Sequence, residues 1–346
     1  MSPTDFDPRH DLVHTPDPER ERWRESYYFQ FIDFKHGLGG YHGPGYRPRK
    51  GYTGVLHVLW GTEHGALAAT EKGKYTEHTA VHPVGGFTWD IVEPLKKWHI
   101  RFDGRLNVGG HDPAIPIDAV VAAADGTGEQ VDVSYDLIFE RDKPAYLYDE
   151  NPEWDGLFDG HIDEVGTVKG TLRVGEKTYE IDGRGSKDHS WGARDWSKPK
   201  GWRWVDMLFE DGTEVTVWRA TFAGTNWLDD GAIYVDGETA EKVTSFSESV
   251  TFVERPRADR PASWEFEITS ENHRIRGRGE MIAVAPLLFP FRTREGTRGM
   301  MWNDRTVFRC ELDDGRVGYG SAEFQFHEPP DGSKAPRPLL AETTPV

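Results

Sequence analysis

Short apolar runs punctuated by Asp-Gly pairs constrain this chain more than any other feature of it. They include Asp103-Gly104, Asp125-Gly126, Asp182-Gly183, Asp211-Gly212, Asp236-Gly237 and Asp314-Gly315. Between apolar runs such a step is a strong hairpin signal, because both turn residues must tolerate positive φ. The strand ahead of Asp211 shows the alternation expected of a sheet. Trp202, Trp204, Asp206 and Leu208 share one face, and Arg203, Val205, Met207 and Phe209 share the other. No window places apolar residues at i, i+3, i+4 and i+7 over three turns with a cap at each end. Asp90 to Trp98 allows at most a short helical turn, limited by Pro94. A parallel βαβ architecture therefore fails, and the fold class is all-β, an antiparallel barrel or sandwich.

The 346 residues are comfortable for two such units. The acidic, Pro- and Gly-containing stretch from Asp149 to Gly166 separates two series of hairpins. We therefore expect a first barrel over residues 25–160 and a second over 161–328. Each is about the size of an eight-stranded barrel able to enclose one small apolar ligand. Residues 1–24, with Pro3, Pro8, Pro16 and Pro18 among many charges, read as a tail or short docking segment. Residues 329–346 read as a disordered tail, and Gly37 to Gly51 as a long loop.

Composition excludes several function classes. Lys+Arg 41 against Asp+Glu 59 leaves a net charge of −18, which repels nucleic acid and anionic membrane surfaces. Cys310, the only cysteine, rules out an intrachain disulfide and a Cys-rich metal site, and its strand-like setting suggests an inert thiol. No apolar run is long enough to cross a bilayer as a helix, since Met281 to Phe291 is broken by Pro286 and Pro290. The N-terminus lacks an apolar signal core, so a cytoplasmic location is expected. The histidines at 36, 42, 57, 64, 78, 82, 99 and 111 form no His-Glu-x-x-His and no tight pair with a carboxylate on a definable element, so no metal is expected. No Gly-x-Ser-x-Gly elbow occurs, and the glycines after Gly37 lack the Gly-Lys-Ser/Thr ending of a phosphate loop.

The densest chemistry lies in the run from Tyr179 to Trp196. A strand enters Gly183 and Gly185, then Asp188, His189, Ser190, Trp191, Arg194 and Asp195 crowd together, with Trp196, Trp202 and Trp204 close behind. Carboxyl groups beside tryptophans suit acid chemistry, because burial raises a carboxyl pKa and keeps its proton near neutrality. Indole faces can also stabilise a developing carbocation. The same residues equally suit a buried hydrogen-bond network pinning a barrel corner, and chemistry alone does not choose between these readings.

Gly185-Ser-Lys-Asp-His-Ser-Trp-Gly-Ala-Arg-Asp resembles the Asp-His-(Asn/Ser)-Trp-Gly signature of the carotenoid 1,2-hydratase, AttH-like and survival-factor-like superfamily. The stretches His161 to Leu172, Gly318 to Glu323 and Glu25 to Phe31 resemble it more loosely. The resemblance implies two consecutive lipocalin-like β-barrels with a pocket near their junction, and no organic cofactor. Characterised relatives include isoprenoid hydratases and cyclases, tocopherol cyclase among similar two-barrel proteins, while other members have no known activity. Carried over, Asp188 becomes the candidate acid, His189 its orienting partner and Trp191 a pocket wall. Glu323 is a second candidate carboxylate, and Trp196, Trp202, Trp204 and Asp206 are candidate substrate contacts. One tension stands: in an extended strand Asp188 and His189 face opposite sides, unless a bulge at the glycines intervenes.

Two functions follow as expectations. One is a cofactor-independent enzyme performing acid-assisted hydration, dehydration or cyclisation of a hydrophobic isoprenoid, steroid or polyketide-like molecule, with a homodimer permitted. The other is a non-catalytic carrier of an apolar ligand. A polysaccharide- or protein-binding role would need an exposed aromatic stripe, and the clustering of tryptophans beside Asp188 argues against it.

Overall fold

The computed structural model describes residues 7–17, 19–20, 22–75, 84–112, 128–148, 157–222, 227–235, 239–254, 259–292, 296 and 298–327. Its contacts divide the chain into two units, Met1–Arg194 with Gly237–Ala240, and Asp195–Asp236 with Glu241–Val346. Both are antiparallel sheets, as the hairpin punctuation predicts.

The first unit holds β1 (Trp23–Asp33), β2 (Leu38–His42), β3 (Gly45–Arg47), β4 (Tyr52–Thr62), β5 (Gly65–Lys74) and β6 (Phe87–Glu93). These are followed by β7 (Lys97–Gly110), β8 (Gln130–Arg141), β9 (Tyr146–Leu147), β10 (Gly160–Val174) and β11 (Lys177–Ala193). The pairing path runs β11-β1-β2-β4-β5-β7-β8-β10, and β10 pairs with β11 again, so eight strands close into a barrel. Closure removes the exposed edges that an open sheet would carry. Alternation then selects the interior. Tyr27, Phe29 and Phe31 of β1 point inward and meet Trp89, Trp98, Phe102 and Phe139, all fully or nearly buried.

The division expected near residue 160 falls instead after Arg194. β10 and β11 are the strands that close the first barrel, and without them β1 and β8 would each present an open edge. Two further expectations change. Gly37 to Gly51 is not one long loop, because β2 and β3 lie in it and the glycines there admit close neighbours. A Cβ on Gly39 would stand 2.3 Å from the Trp60 ring. Asp90 to Trp98 forms a strand, a turn and a strand rather than a helical turn. Of the two readings of the N-terminal segment, docking fits its described part: Pro8–Asp11 is a 3-10 turn and Asp11 is fully buried.

The second unit holds β12 (Pro199–Phe209), β13 (Glu214–Phe222), β14 (Leu228–Tyr234), β15 (Glu241–Lys242) and β16 (Ser245–Val253). Then come β17 (Arg260–Thr269), β18 (Arg274–Arg292), β19 (Arg298–Leu312) and β20 (Val317–His327). Its nine strands run β15-β14-β13-β12-β20-β19-β18-β17-β16. The two edge strands are separated in the chain by Val243 and Thr244 alone, so the sheet curls back on itself, and Phe246 N donates to Asp229 Oδ2 (3.0 Å) across the edges. The face with Val205, Met207 and Phe209 is the core, as the alternation along β12 predicts. Cys310 is buried there and its thiol is pushed up to about 12 by burial, which makes it inert. Met281 to Phe291 is the middle of β18, fully paired to β19 beyond a bulge at residues 281–283.

Two of the Asp-Gly pairs turn as expected: Gly212 and Gly315 have φ of 85° and 90° between consecutive strands. Asp103-Gly104 and Asp182-Gly183 lie inside strands instead. At Gly183 a Cβ would stand 2.0 Å from the Ile32 carbonyl oxygen, so close backbone approach demands the glycine there. Asp125-Gly126, Asp236-Gly237, His78, His82 and the tail from 329 lie outside the described residues. Among the described residues no helix is long and apolar enough to cross a membrane.

Candidate functional site

β11 carries the Asp188-His189-Ser190-Trp191 run between β1 and β10, in unbroken register with β1 from Arg184 to Ala193. No bulge intervenes, so alternation holds and the motif is split between two faces. His189 and Lys187, paired with Tyr27 and Phe29, lie on the core side. Asp188, paired with Tyr28 and Asp163, lies on the other. His189 therefore does not orient Asp188.

On the core side the N-terminal segment completes the structure. Asp11 Oδ1 accepts from Lys187 Nζ (2.7 Å), and Asp11 Oδ2 accepts from Leu95 N (2.6 Å) and Trp98 Nε1 (2.9 Å). Lys187 also pairs with Glu164 and lies 4.5 Å from the centre of the Trp98 ring. Burial opposes charge on Lys187, but Asp11 and Glu164 outweigh it and keep the ammonium charged. Glu164 is raised to about 7 by burial, with the Lys187 charge opposing. Leu95 has a φ of 55°, unusual for a branched side chain, and its N–H is the one that Asp11 holds.

Beside this network His189 Nε2 lies 2.8 Å from Glu25 Oε1, and the Tyr27 ring stacks on the imidazole at 3.9 Å. Glu25 Oε1 also lies 2.9 Å from His14 Nδ1, and the His14 ring stacks on Trp191 at 4.1 Å. Burial lowers the His189 pKa, so its ring is a neutral donor.

On the opposite face His161 Nε2 stands between two carboxylates, 3.1 Å from Asp163 Oδ1 and 3.3 Å from Asp188 Oδ2. The pair 161/163 shares a face because strand residues two apart do so. Tyr148 OH donates to Asp163 Oδ2 (2.7 Å) and its ring stacks on His161 at 4.3 Å. Burial opposes charge on His161, yet the two carboxylates prevail and raise its pKa to about 9. The ring is therefore an imidazolium at neutral pH. Asp188, at 14% side-chain exposure, is the most open of the three; His161 and Asp163 are at 8% and 4%. Arg194 closes one side, donating from Nη2 to Ser190 Oγ (3.0 Å).

The remaining expected site residues stand in the second unit. Trp202, Trp204 and Asp206 share the face of β12 opposite the core, and Trp196 lies 5.3 Å from Trp202, ring to ring. Glu323 Oε2 accepts from Trp202 Nε1 (2.9 Å) and Asn303 Nδ2 (3.0 Å), and Glu323 pairs with Arg305. Three donors hold this carboxylate as an acceptor, so its geometry is not that of a proton donor.

The reading of the sequence missed Asp11, His14 and Tyr148, and cited Glu25, His161, Asp163 and Glu164 only within resembling stretches. The His-x-Asp spacing at 161–163 was the one local signal for that pair. The contacts His14–Glu25–His189 and His161–Asp163–Asp188 also supply what was not found locally: two sets whose ligand atoms lie within 4.8 Å of one another. The first set spans distant parts of the chain, and the second joins the two strands of the β10–β11 hairpin.

The model of a family described as a domain of unknown function, DUF7064, matches residues 7–328. No curated protein matches the chain. Among solved structures, a candidate AttH from Nitrosomonas europaea is similar with TM-score 0.57 and 12% identity, over 90% of this chain and 96% of that one. Kievitone hydratase from Nectria haematococca is similar with TM-score 0.56 and 12% identity, over 87% and 88%. CghA in a structure with Sch210972 gives TM-score 0.53 and 10% identity, over 94% and 96%. At such identities the likeness is one of fold alone, and that fold agrees with the antiparallel β architecture that the motif implied.

Proposed function

The chain belongs to the DUF7064 family, and we propose that it catalyses a cofactor-independent, hydratase- or cyclase-type reaction on a hydrophobic small molecule, with Asp188 delivering a proton stored on His161. One observation carries this reading. A partly open carboxylate touches a buried imidazolium that a second carboxylate, Asp163, holds from the other side. An acid must be protonated at working pH and within reach of substrate, and the pair divides those two tasks. In a hydration, the proton passes from His161 through Asp188 to an alkene carbon. Water then adds to the cation, and its surplus proton returns to the pair. In a dehydration the same proton goes to a hydroxyl that leaves as water, and a neighbouring C–H proton is handed back. In a cyclisation a second double bond attacks the cation in place of water, and the new ring cation loses a neighbouring C–H proton back to the pair. The name of kievitone hydratase, which shares the fold, agrees with water chemistry. Isoprenoid, steroid and polyketide-like compounds are the substrate classes proposed.

The full burial of His189 favours the carrier reading for the core side of the motif, where His189 is held by Glu25 and stacked on Tyr27. The two readings separate in one experiment. A panel of hydrophobic alkenes and tertiary alcohols is incubated with the chain and with Asp188→Asn, and mass spectrometry follows gain or loss of water or isomer formation. Turnover by the parent that collapses in Asp188→Asn supports the enzyme. Ligand binding without turnover in either, or equal turnover in both, overturns it.

A further inference from the structure

Glu25 is 1% exposed; its ion-pair partners among the described residues are His14 and His189, and its carboxylate also accepts from His14 N at 2.9 and 3.1 Å. Of the other buried carboxylates of this barrel, Asp11 and Glu164 have Lys187, Asp163 has His161 and Asp33 has the single histidine His36, whereas Glu25 stands between two histidines. Three ligand atoms converge at Glu25, with His189 Nε2 at 2.8 Å and His14 Nδ1 at 2.9 Å from Oε1. Two come from β1 and β11, which the barrel holds rigid. The third comes from the N-terminal segment, which Asp11 anchors three residues earlier.

We propose that His14, Glu25 and His189 bind a divalent transition ion, Zn2+ by the nature of the donors, and that the ion clamps the N-terminal segment to the barrel. Two imidazoles and a carboxylate are a zinc donor set, and their charge leaves one positive charge to neutralise the site's surroundings. Zinc bonds of about 2.0–2.1 Å place tetrahedral ligands about 3.3 Å apart, so the present contacts open by roughly half an ångström. The His14 side chain is 20% exposed, which leaves a path for the ion and for a water as fourth ligand. The outer ring nitrogens, His14 Nε2 and His189 Nδ1, carry no hydrogen bond. Lacking those supports, the site binds in the micromolar range rather than more tightly. The rival cluster, His161 with Asp163 and Asp188, already has its positive charge in the imidazolium ring.

The test is isothermal titration of the tag-free, full-length chain, stripped with chelator, using zinc chloride; cobalt(II) absorption reports the coordination. The expected result is one ion per chain with micromolar Kd, weakened at least about tenfold in His14→Ala and in Glu25→Gln, and unchanged in His161→Ala. Absence of binding, binding unaffected by His14→Ala, or loss confined to His161→Ala overturns the proposal. His14 lies outside the sheet, so His14→Ala decides the matter even if Glu25→Gln fails to fold. The readout is bound metal, so it is independent of turnover at Asp188.

Discussion

Asp188 Oδ2 lies 3.3 Å from His161 Nε2 on the neighbouring strand, while His189, next to Asp188 in the chain, is bonded to Glu25 on the other face of the sheet. The partner of the motif carboxylate is thus a histidine one strand away. The His161 pKa is raised from 6.5 to about 9, so the ion pairs it makes are fully present below about 6.5 and are lost as pH rises through about 9. We expect the stability advantage of the parent over His161→Gln to shrink by on the order of 3 kcal/mol across that window. Urea unfolding of both proteins at successive pH values checks it, and a constant difference would contradict the pairing.

Turnover should depend on Asp188 far more than stability does. General acids contribute about 10²–10⁴-fold, and Asp188→Asn should lose a factor in that range. The side chain is partly open, so unfolding free energy should change by only about 1–2 kcal/mol. A variant that unfolds yet keeps its specific activity would mark Asp188 as structural.

Asp11 should behave in the reverse way. Removing one partner of a buried ion pair costs about 3–5 kcal/mol, and Asp11→Ala also strips acceptors from Leu95 N and Trp98 Nε1. Denaturant unfolding of the full chain measures it. A loss below about 1 kcal/mol would mean that the N-terminal segment is only loosely laid on the barrel.

Strand content, the alternation along β12 and the inert Cys310 were legible because each is a local property of a few neighbouring residues. The domain boundary was not, since β10 and β11 look like the start of a new hairpin series until their pairing with β1 and β8 closes the ring. The site was half legible. The split of Asp188 from His189 follows from strand alternation alone, and the sequence raised it as a tension. The partners of each did not follow, because Glu25 lies more than a hundred residues from His189 and meets it only on closure of the barrel, and His161 meets Asp188 only through the register of β10 on β11.

Glu323 offers a control. Glu323→Gln keeps an oxygen for Trp202 and Asn303 and loses the pair with Arg305, which is partly exposed, so stability should fall by about 1 kcal/mol or less. Its turnover should stay within about tenfold of the parent, against the larger loss in Asp188→Asn. A collapse equal to that of Asp188→Asn would make Glu323 the acid instead.

Heteronuclear NMR of the imidazole nitrogens of His161, assigned by comparison with His161→Gln, tests most directly whether a proton is stored beside Asp188. Both ring nitrogens should be protonated at neutral pH and the ring should lose its proton near pH 9. A ring already neutral at pH 7 would leave Asp188 with no proton to deliver.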